Sequence, residues 1–500
     1  MSSSKLVGRY FLANTSCASC KCRLPRFIVT ILAFIELKNT IIGEQNSKMA
    51  DMKKFNELRA QNNKFVYKSY VITEDRENIT LEFHYQLYEA ARVSDFHHRL
   101  KLKKDEKMTT AFAMQNIVFH IGLAEAISYY KIAAPKDFVI ECGSLNEAQQ
   151  KWFAKLYFNG LGEFIYCNNI AVTEDTLVNF ITVDKELFQK ISLQTQENNI
   201  IPIGGGKDSL VSYELLKEAF PESLMFSMNP IVASKKVLDA HPLNAIELQR
   251  ELDLKQIFAF NNSGYLNGHI PFSSIVGFIS IWLGLLYKTR YIVLSNESSA
   301  NEENIIYNGQ KINHQYSKSI EFEDDFRWYV SNFITDDVEY FSFLRPLDEI
   351  HIAKLFAEVA QEHFFDFRSC NVGSKRNEWC GKCPKCLFTY IMLCNYIDDA
   401  TLQKIFAKDM LDDASLQELF DGLSQSDALK PFECVGTYDE VNYALSKKYA
   451  TYKREGLPYL LKNYKPKEMD YDLNVDYDTN NNLPPKFKEV LKKYVAKFSF

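Results

Sequence analysis

Between about residues 65 and 100, apolar and polar positions alternate in aromatic and β-branched runs such as NKFVYKSYVI and ITLEFHYQLYE. That period of two predicts the strands of a small sheet. The pattern then changes. Thr110 to Ala134, TAFAMQNIVFHIGLAEAISYYKIAA, is rich in helix formers and free of glycine until Gly122, which predicts one buried helix. A second helix is expected over SLNEAQQKWFAKLYFNG, opening on a capping box from Ser144 to Glu147 and stopping at Asn159 and Gly160. Together these elements predict a smaller α+β domain over residues 49–192.

Beyond the polar end of FITVDKELFQKISLQTQENN, apolar runs alternate with helices: NIIPIGGG and the helix after it, SLMFSMNP, ELQREL, KQIFAF, a long apolar helix from Pro271 to Lys288, and RYIVLSNE. Such alternation predicts an α/β domain, here residues 193–395, with a parallel sheet covered on both faces. Ligands of such sheets sit beyond the carboxyl ends of the strands. From about residue 396 the chain turns helical and polar, so residues 396–500 are expected to form a helical C-terminal region and tail. Within it, YKPKEMDYDLNVDYDTNNNLPPK reads as a flexible connection before a last amphipathic helix, Phe487 to Phe498.

Composition narrows the function classes. The 500 residues are 46% hydrophobic and 24% charged, enough chain for two or three domains with a proper core. A formal charge of −6 supplies no basic face for phosphate neutralisation, which argues against a nucleic-acid binder and toward a small substrate. The 37 Phe and 28 Tyr are spread along the chain rather than interleaved with Lys and Arg, as core residues are. Eleven cysteines without disulfide-scaffold spacing fit a reducing, cytoplasmic setting. FIVTILAFIEL, from residue 27, is too short to span a bilayer, so no stable membrane association is expected. The compositional break at GEQNSKMADMKK suggests that the true start is Met49 or Met52, with residues 1–48, including Cys17, Cys20 and Cys22, an upstream extension.

The first candidate for chemistry is GGGKDS, Gly204, Gly205, Gly206, Lys207, Asp208 and Ser209. It stands between apolar IIPI and the helical spacing of SLVSYELLKEAF, so the glycines fall at a strand-to-helix turn. Backbone N–H groups and the helix N-terminus favour an anion there. Glycines let the main chain approach phosphate, Lys207 adds charge, Ser209 adds a hydroxyl donor, and Asp208 orients the loop or holds Mg²⁺. The run lacks the GxxxxGK[ST] and GxGxxG spacings of other nucleotide loops.

The second candidate is SCNVGSKRNEWCGKCPKCLF, with Cys370 ten positions before Cys380, then Cys383 and Cys386 at steps of three. Tetrahedral zinc takes four thiolates, and short Cys-x-x-Cys knuckles deliver neighbouring sulfurs to one ion. A redox pair and an iron–sulfur cluster are the alternatives, because spacing does not choose the metal. Cys142, Cys167, Cys394 and Cys434 read as buried small residues.

The GGGKDS run resembles the SGGxDS signature of the PP-loop ATP pyrophosphatases, with Gly204 in place of the first Ser. That resemblance implies a PP-loop (adenine nucleotide alpha hydrolase-like) domain that adenylates its substrate and releases pyrophosphate. Loop and cysteines together are similar to the QueC-type ligases, although those are about half this length. A wider resemblance, over about residues 65 to 460, is to the UDP-N-acetylmuramoyl-L-alanyl-L-glutamate epimerase (MurL) family. VFHIGLAEAISYYK, YFNGLGEFIY, PIGGGKDSLVSYELL, NESSANEENIIYNGQKINHQYSKSIEFE, FLRPLDEIHIAKLF, WCGKCPKCLF and KPFECVGTYDEV carry it, in that order. It implies a two-domain enzyme that uses ATP and Mg²⁺ to invert the terminal L-Glu of a peptidoglycan precursor, a small-molecule nucleotide-sugar peptide, releasing AMP and pyrophosphate.

Such a reaction is coherent with the residues. An ionised α-carboxylate leaves its Cα–H very weakly acidic, whereas an acyl-adenylate draws off charge, so ATP use and epimerisation belong together. One or two bases near that carbon are then needed. Candidates are His269 in LNGHIPFSS, Glu297 in SNESSAN and His314 in NHQYSKS; the alternatives are a helix cap, a loop or Mg²⁺ contact, and a backbone contact, respectively. Lys318 and Arg345 either pair with phosphate or carboxylate or sit solvated at the surface. His120 and Glu125, five apart and off one face, read as a core polar residue and a partner contact. The competing classes are a QueC-like or amidotransferase-type ligase and a nucleotide-binding regulator.

Overall fold

A computed structural model describes residues 53–90, 92–184, 186–453 and 456–498. The expectations for residues 1–48 and for FIVTILAFIEL lie outside these residues. The strands are β1 (Asn62–Glu74), β2 (Asn78–Glu89), β3 (Arg92–Lys103), β4 (Asp137–Ile140), β5 (Asn179–Thr182), β6 (Gln196–Pro202), β7 (Leu224–Met228), β8 (Ala245–Glu251), β9 (Thr289–Leu294), β10 (Ile305–Tyr307), β11 (Gln310–Ile312) and β12 (Glu339–Ser342). All but the β10–β11 hairpin join one ten-stranded sheet in the order β12-β9-β6-β7-β8-β3-β2-β1-β4-β5. β1, β2 and β3 form an antiparallel meander, whereas β6, β7, β8, β9 and β12 run parallel. The fold is α/β with a mixed, mainly parallel sheet.

Period explains this division. In β2 the side chains alternate between buried and half-buried, as a strand covered on one face requires. In the parallel half, neighbouring residues are buried on opposite faces: Ile200, Phe226 and Ile292 enter one core, while Ile201, Met225 and Val293 enter the other. The first core runs without a break from Phe65 and Phe83 to Ile275 and Trp282. The second is closed by C-terminal helices through Leu387, Phe406, Leu445 and Phe487. The expected border at residue 192 falls between β5 and β6, yet β3 pairs antiparallel with β8 (Leu102 with Leu248), so neither sheet nor core stops there.

The long helices follow their apolar patterns. Gln115–Tyr130 is buried almost throughout, preceded by a short 3₁₀ turn at Ala111–Met114. Gly122 lies against the Tyr67 ring, where any added Cβ would collide with the phenol. Phe272–Leu286 begins after Pro271, and Pro485–Lys497 closes the chain by burying Phe487 and Leu491. No helix among the described residues is long and apolar enough to cross a membrane.

Two expectations change. The helix Glu147–Gly160 is capped by Asn146, not Ser144: Gln149 N–H donates to Asn146 Oδ1 at 2.9 Å, and Gln149 Oε1 accepts from Asn146 N–H at 3.0 Å. Asn and Gln serve this reciprocal geometry as well as Ser and Glu do, and the Asn146 pair begins where the backbone turns helical. The stretch 465–484 is irregular but not a free tether. Tyr471, Leu473, Val475 and Tyr477 turn inward against the second core while the residues between them face water. Tyr471 Oη–H donates to Asp348 Oδ2 at 2.6 Å, and the Leu473 carbonyl lies 2.9 Å from His351 Nε2.

Candidate functional site

β6 runs out at Pro202 into the glycine turn, and the helix Lys207–Leu216 starts from Gly206. Gly205 has φ +85°, and a Cβ there would lie 3.0 to 3.1 Å from Ile231 and Ala233, so the turn requires glycine at that position. Ser209 Oγ–H donates to the Gly206 carbonyl at 3.1 Å, and Oγ accepts from Gly205 N–H at 3.2 Å, which fixes the turn's shape. Gly204, Gly206, Asp208 and Ser209 face a cavity of about 780 Å³ at the carboxyl ends of β6, β7 and β9. Gly205 and Lys207 are not on its wall.

Lys207 departs from expectation. Its side chain is 3% exposed and its ammonium is bonded to the Asp208 and Glu349 carboxylates. Burial alone would lower its pKa, but Asp208 and Glu349 outweigh that and keep it protonated. Glu349 is pushed well above the usual carboxylate range, chiefly by burial. Behind it Glu440, fully buried and raised to about 7 by burial and Asp348, accepts from Glu349 N–H at 2.7 Å. The lysine thus ties the loop to the helix Glu349–Val359, with its charge met from within the protein.

The four cysteines do meet. Sulfur separations are 3.4 Å for Cys383–Cys386, 3.6 Å for Cys380–Cys386 and 3.8 Å for Cys370–Cys383, and all four lie within 4.8 Å of one another. Four thiolates about 2.3 Å from a zinc ion would be about 3.8 Å apart, so this donor set fits a tetrahedral metal. The spacings are far too long for disulfides. The cluster also abuts the glycine turn. Arg368 N–H donates to the Gly205 carbonyl at 2.9 Å, a Cβ on Gly206 would come within 3.1 Å of Ser369 Oγ, and Ser369, Cys370 and Lys385 line the cavity.

Of the three base candidates, His269 and His314 share the cavity, with ring centroids 4.1 Å apart. His314 Nδ1 is 2.5 Å from Glu163 Oε2, and His269 Nδ1 is 3.9 Å from the same oxygen. Burial would lower His314, but hydrogen bonds with Cys434 and Glu163 outweigh it and raise the imidazole to about 9. His269 is pushed down to about 3 by burial and by the cations His314, Lys131, Lys318 and Lys385. It does not cap the following helix, whose N-cap is Pro271. Glu297 is 3% exposed, just beyond the end of β9, and not on the cavity wall; its carboxyl is raised, mainly by burial.

Arg345 is 2% exposed rather than solvated, and its guanidinium donates to the Glu297 carbonyl at 2.6 Å and the Lys318 carbonyl at 2.5 Å. It holds two site segments in place. Lys318 faces the cavity and stays protonated, because Cys434, Glu297 and Asp208 outweigh its desolvation. His120 is a core residue whose Nδ1–H donates to the Asn116 carbonyl at 2.8 Å. Glu125 is no outward partner contact: it is fully buried and bonded to Arg250.

Several cavity residues were not singled out from sequence as chemistry: Glu163, Lys385, Glu433 and Cys434. Cys434 is half-buried on the wall rather than a core residue, and Cys167 is exposed, whereas Cys394 is buried as expected. The signal for two of these lay in short polar breaks of otherwise apolar segments, Glu163 in YFNGLGEFIY and Cys434 in KPFECVG.

Two family models match the chain, the MurL N-terminal domain over residues 56–343 and the MurL C-terminal domain over residues 366–470. The glycine turn falls in the first span, and the cysteine cluster and Cys434 in the second. Relatives from Micromonospora sp. and Xanthomonas oryzae pv. oryzae, each named UDP-N-acetyl-alpha-D-muramoyl-L-alanyl-L-glutamate epimerase, are 33% and 31% identical over 346 and 342 residues. Each alignment covers 67% of this chain and 75% of the relative. A protein of the same name from Salinispora tropica is 33% identical over 349 residues, covering 68% of this chain and 74% of its own.

Proposed function

The chain belongs to the MurL family, and from that premise we propose that it inverts the terminal L-Glu of UDP-MurNAc-L-Ala-L-Glu to D-Glu at the expense of ATP, in peptidoglycan precursor synthesis. The observation that carries this reading is one cavity whose wall holds both the glycine turn and a cluster of Glu163, His269, His314, Lys318 and Cys434. An anion site and a proton-handling site in one space suit a reaction that must activate a carboxylate and then work on the carbon beside it.

In this account an α-carboxylate oxygen of the glutamyl residue attacks the α-phosphorus of ATP and pyrophosphate leaves. The turn Gly204–Ser209, held in shape by the Ser209 hydroxyl, and the N-terminus of its helix take the phosphates. Asp208, on the wall, would share Mg²⁺ with them. The acyl-adenylate makes the Cα–H acidic enough for removal by a base on the same cavity wall, where His269 and His314 lie. Hydrolysis of the adenylate then frees AMP and UDP-MurNAc-L-Ala-D-Glu. Cys370, Cys380, Cys383 and Cys386 would hold a structural Zn²⁺ that keeps Ser369 and Lys385 against the turn. The free cysteines among the described residues support a reducing, cytoplasmic setting.

Asp208→Ala and Ser209→Ala test the turn. Each should lower substrate-dependent pyrophosphate release by about 10² or more, with circular dichroism unchanged. Wild-type release in both variants would refute the assignment.

A further inference from the structure

Epimerisation needs a group that takes the Cα proton, and the cavity offers one that the histidines do not supply. Cys434 lines the cavity beside His314 and Lys318, and His314 is bonded through Nδ1 to Glu163 at 2.5 Å. Carboxylate, imidazole and sulfur thus form a chain drawn from three distant segments, with the Lys318 ammonium beside its end. All four residues line the cavity that the phosphate turn also lines.

Lys318, Lys385 and His314 face the sulfur as cations and Glu433 as an acid, while Glu163 is bonded to His314 Nδ1. Burial would raise the thiol, but the three cations outweigh it and bring it well below its ordinary value. These cations favour the thiolate over the thiol. His314, raised to about 9, already carries a proton and so cannot accept the one from Cα. Glu297 is off the wall.

Resting on the epimerase reading, we propose that Cys434 is the catalytic base that takes the glutamyl Cα proton, with His314, Lys318 and Glu163 as positioning residues. In this step the Cα–H bond breaks, an S–H bond forms, and the C–H electron pair moves into the Cα–C bond as the adenylate carbonyl becomes an enolate oxyanion. A water molecule protonates the opposite face, restoring Cα–H with inverted configuration. The hydroxide it leaves takes the proton from Cys434, so the thiolate and the water are regenerated.

The test is the number of solvent deuterons placed at the glutamyl Cα per pyrophosphate released, measured in the full chain with ATP, Mg²⁺ and UDP-MurNAc-L-Ala-L-Glu in D₂O. Cys434→Ala and Cys434→Ser should lower that ratio about a hundredfold or more, the range typical of losing a general base. Alkylation of the wild-type protein by iodoacetamide at pH 6.5 should modify Cys434 before the other thiols and lower the same ratio, which keeps the test open if a variant fails to fold. A wild-type ratio in Cys434→Ala overturns the proposal. So does an acyl group found on Cys434 by mass spectrometry of the working enzyme, which would make the sulfur a nucleophile. Wild-type protein that releases pyrophosphate without placing deuterium at Cα would instead remove the epimerase reading itself.

Discussion

Replacing Glu125 by Gln should destabilise the protein by about 3 kcal/mol at neutral pH, although the residue lies outside the cavity. Glu125 is 0% exposed, in a helix packed on the sheet. Its carboxylate accepts from Arg250 Nε–H at 2.9 Å and Nη2–H at 2.6 Å, and sits 3.3 Å from His98 Nε2. Arg250 belongs to β8 and His98 to β3, the two strands whose pairing joins the halves of the sheet. Burial raises the Glu125 pKa, but Arg250 and His98 outweigh it and bring it from 4.5 to about 2. At about 1.36 kcal/mol per unit, such a depression corresponds to roughly 3 kcal/mol, and removing one partner of a buried pair costs a similar ~3–5 kcal/mol because the other charge is stranded. The folded-state pKa lies below the unfolded one, so this stability is fully present above about pH 4.5 and is lost as pH falls toward 2. Urea unfolding of wild type and Glu125→Gln at pH 7 and again at pH 3.5 should show the gap narrowing at the lower pH. Replacing both partners, as in Glu125→Leu with Arg250→Met, should recover much of the loss. A gap under about 1 kcal/mol at pH 7, or one indifferent to pH, would refute the reasoning.

Other expectations follow from the site. Cys383→Ser should lose bound metal and melt at a lower temperature, as read by metal analysis and calorimetry, because the four thiolates act together; full metal content and stability would count against a structural metal. Gly204→Ala should keep its melting temperature, since a Cβ there meets nothing within 4 Å, yet bind ATP more weakly because that space is where a phosphate would approach. Gly205→Ala should instead lose about 1–2 kcal/mol of stability, its positive φ being costly for any residue with a Cβ. Calorimetry and ATP titration of the two neighbours check both statements, and equal effects on both properties would contradict them.

The strand-to-helix glycine turn and the meeting of the four cysteines were legible because each is local: the spacing of a few residues determines what backbone or sulfur can reach. The parallel half of the sheet was legible for a similar reason, since runs such as NIIPIG and RYIVL are apolar on both faces. What spans distance was not. The β3–β8 pairing merges two expected units into one sheet, and no period within either strand announces its partner. Lys207 reads as a phosphate ligand until Glu349, 142 positions away, is found holding it. Cys434 reads as a small core residue until the fold brings His314 and Lys318 to it. The strap at 465–484 was different, because its alternation of Tyr, Leu, Val and Tyr with Asp and Asn carried a period of two that its high polarity masked.

The proposed coupling of carboxylate activation to inversion of the adjacent carbon is what separates an epimerase from a ligase. Its most direct test is pyrophosphate release by the purified protein with ATP and Mg²⁺, with and without UDP-MurNAc-L-Ala-L-Glu, followed by chiral analysis of the glutamate. Release should depend on that substrate, with D-Glu appearing alongside. Release that leaves the glutamate entirely L would contradict it and point to a ligase lacking its amine, and no release at all would contradict both the substrate and the adenylation.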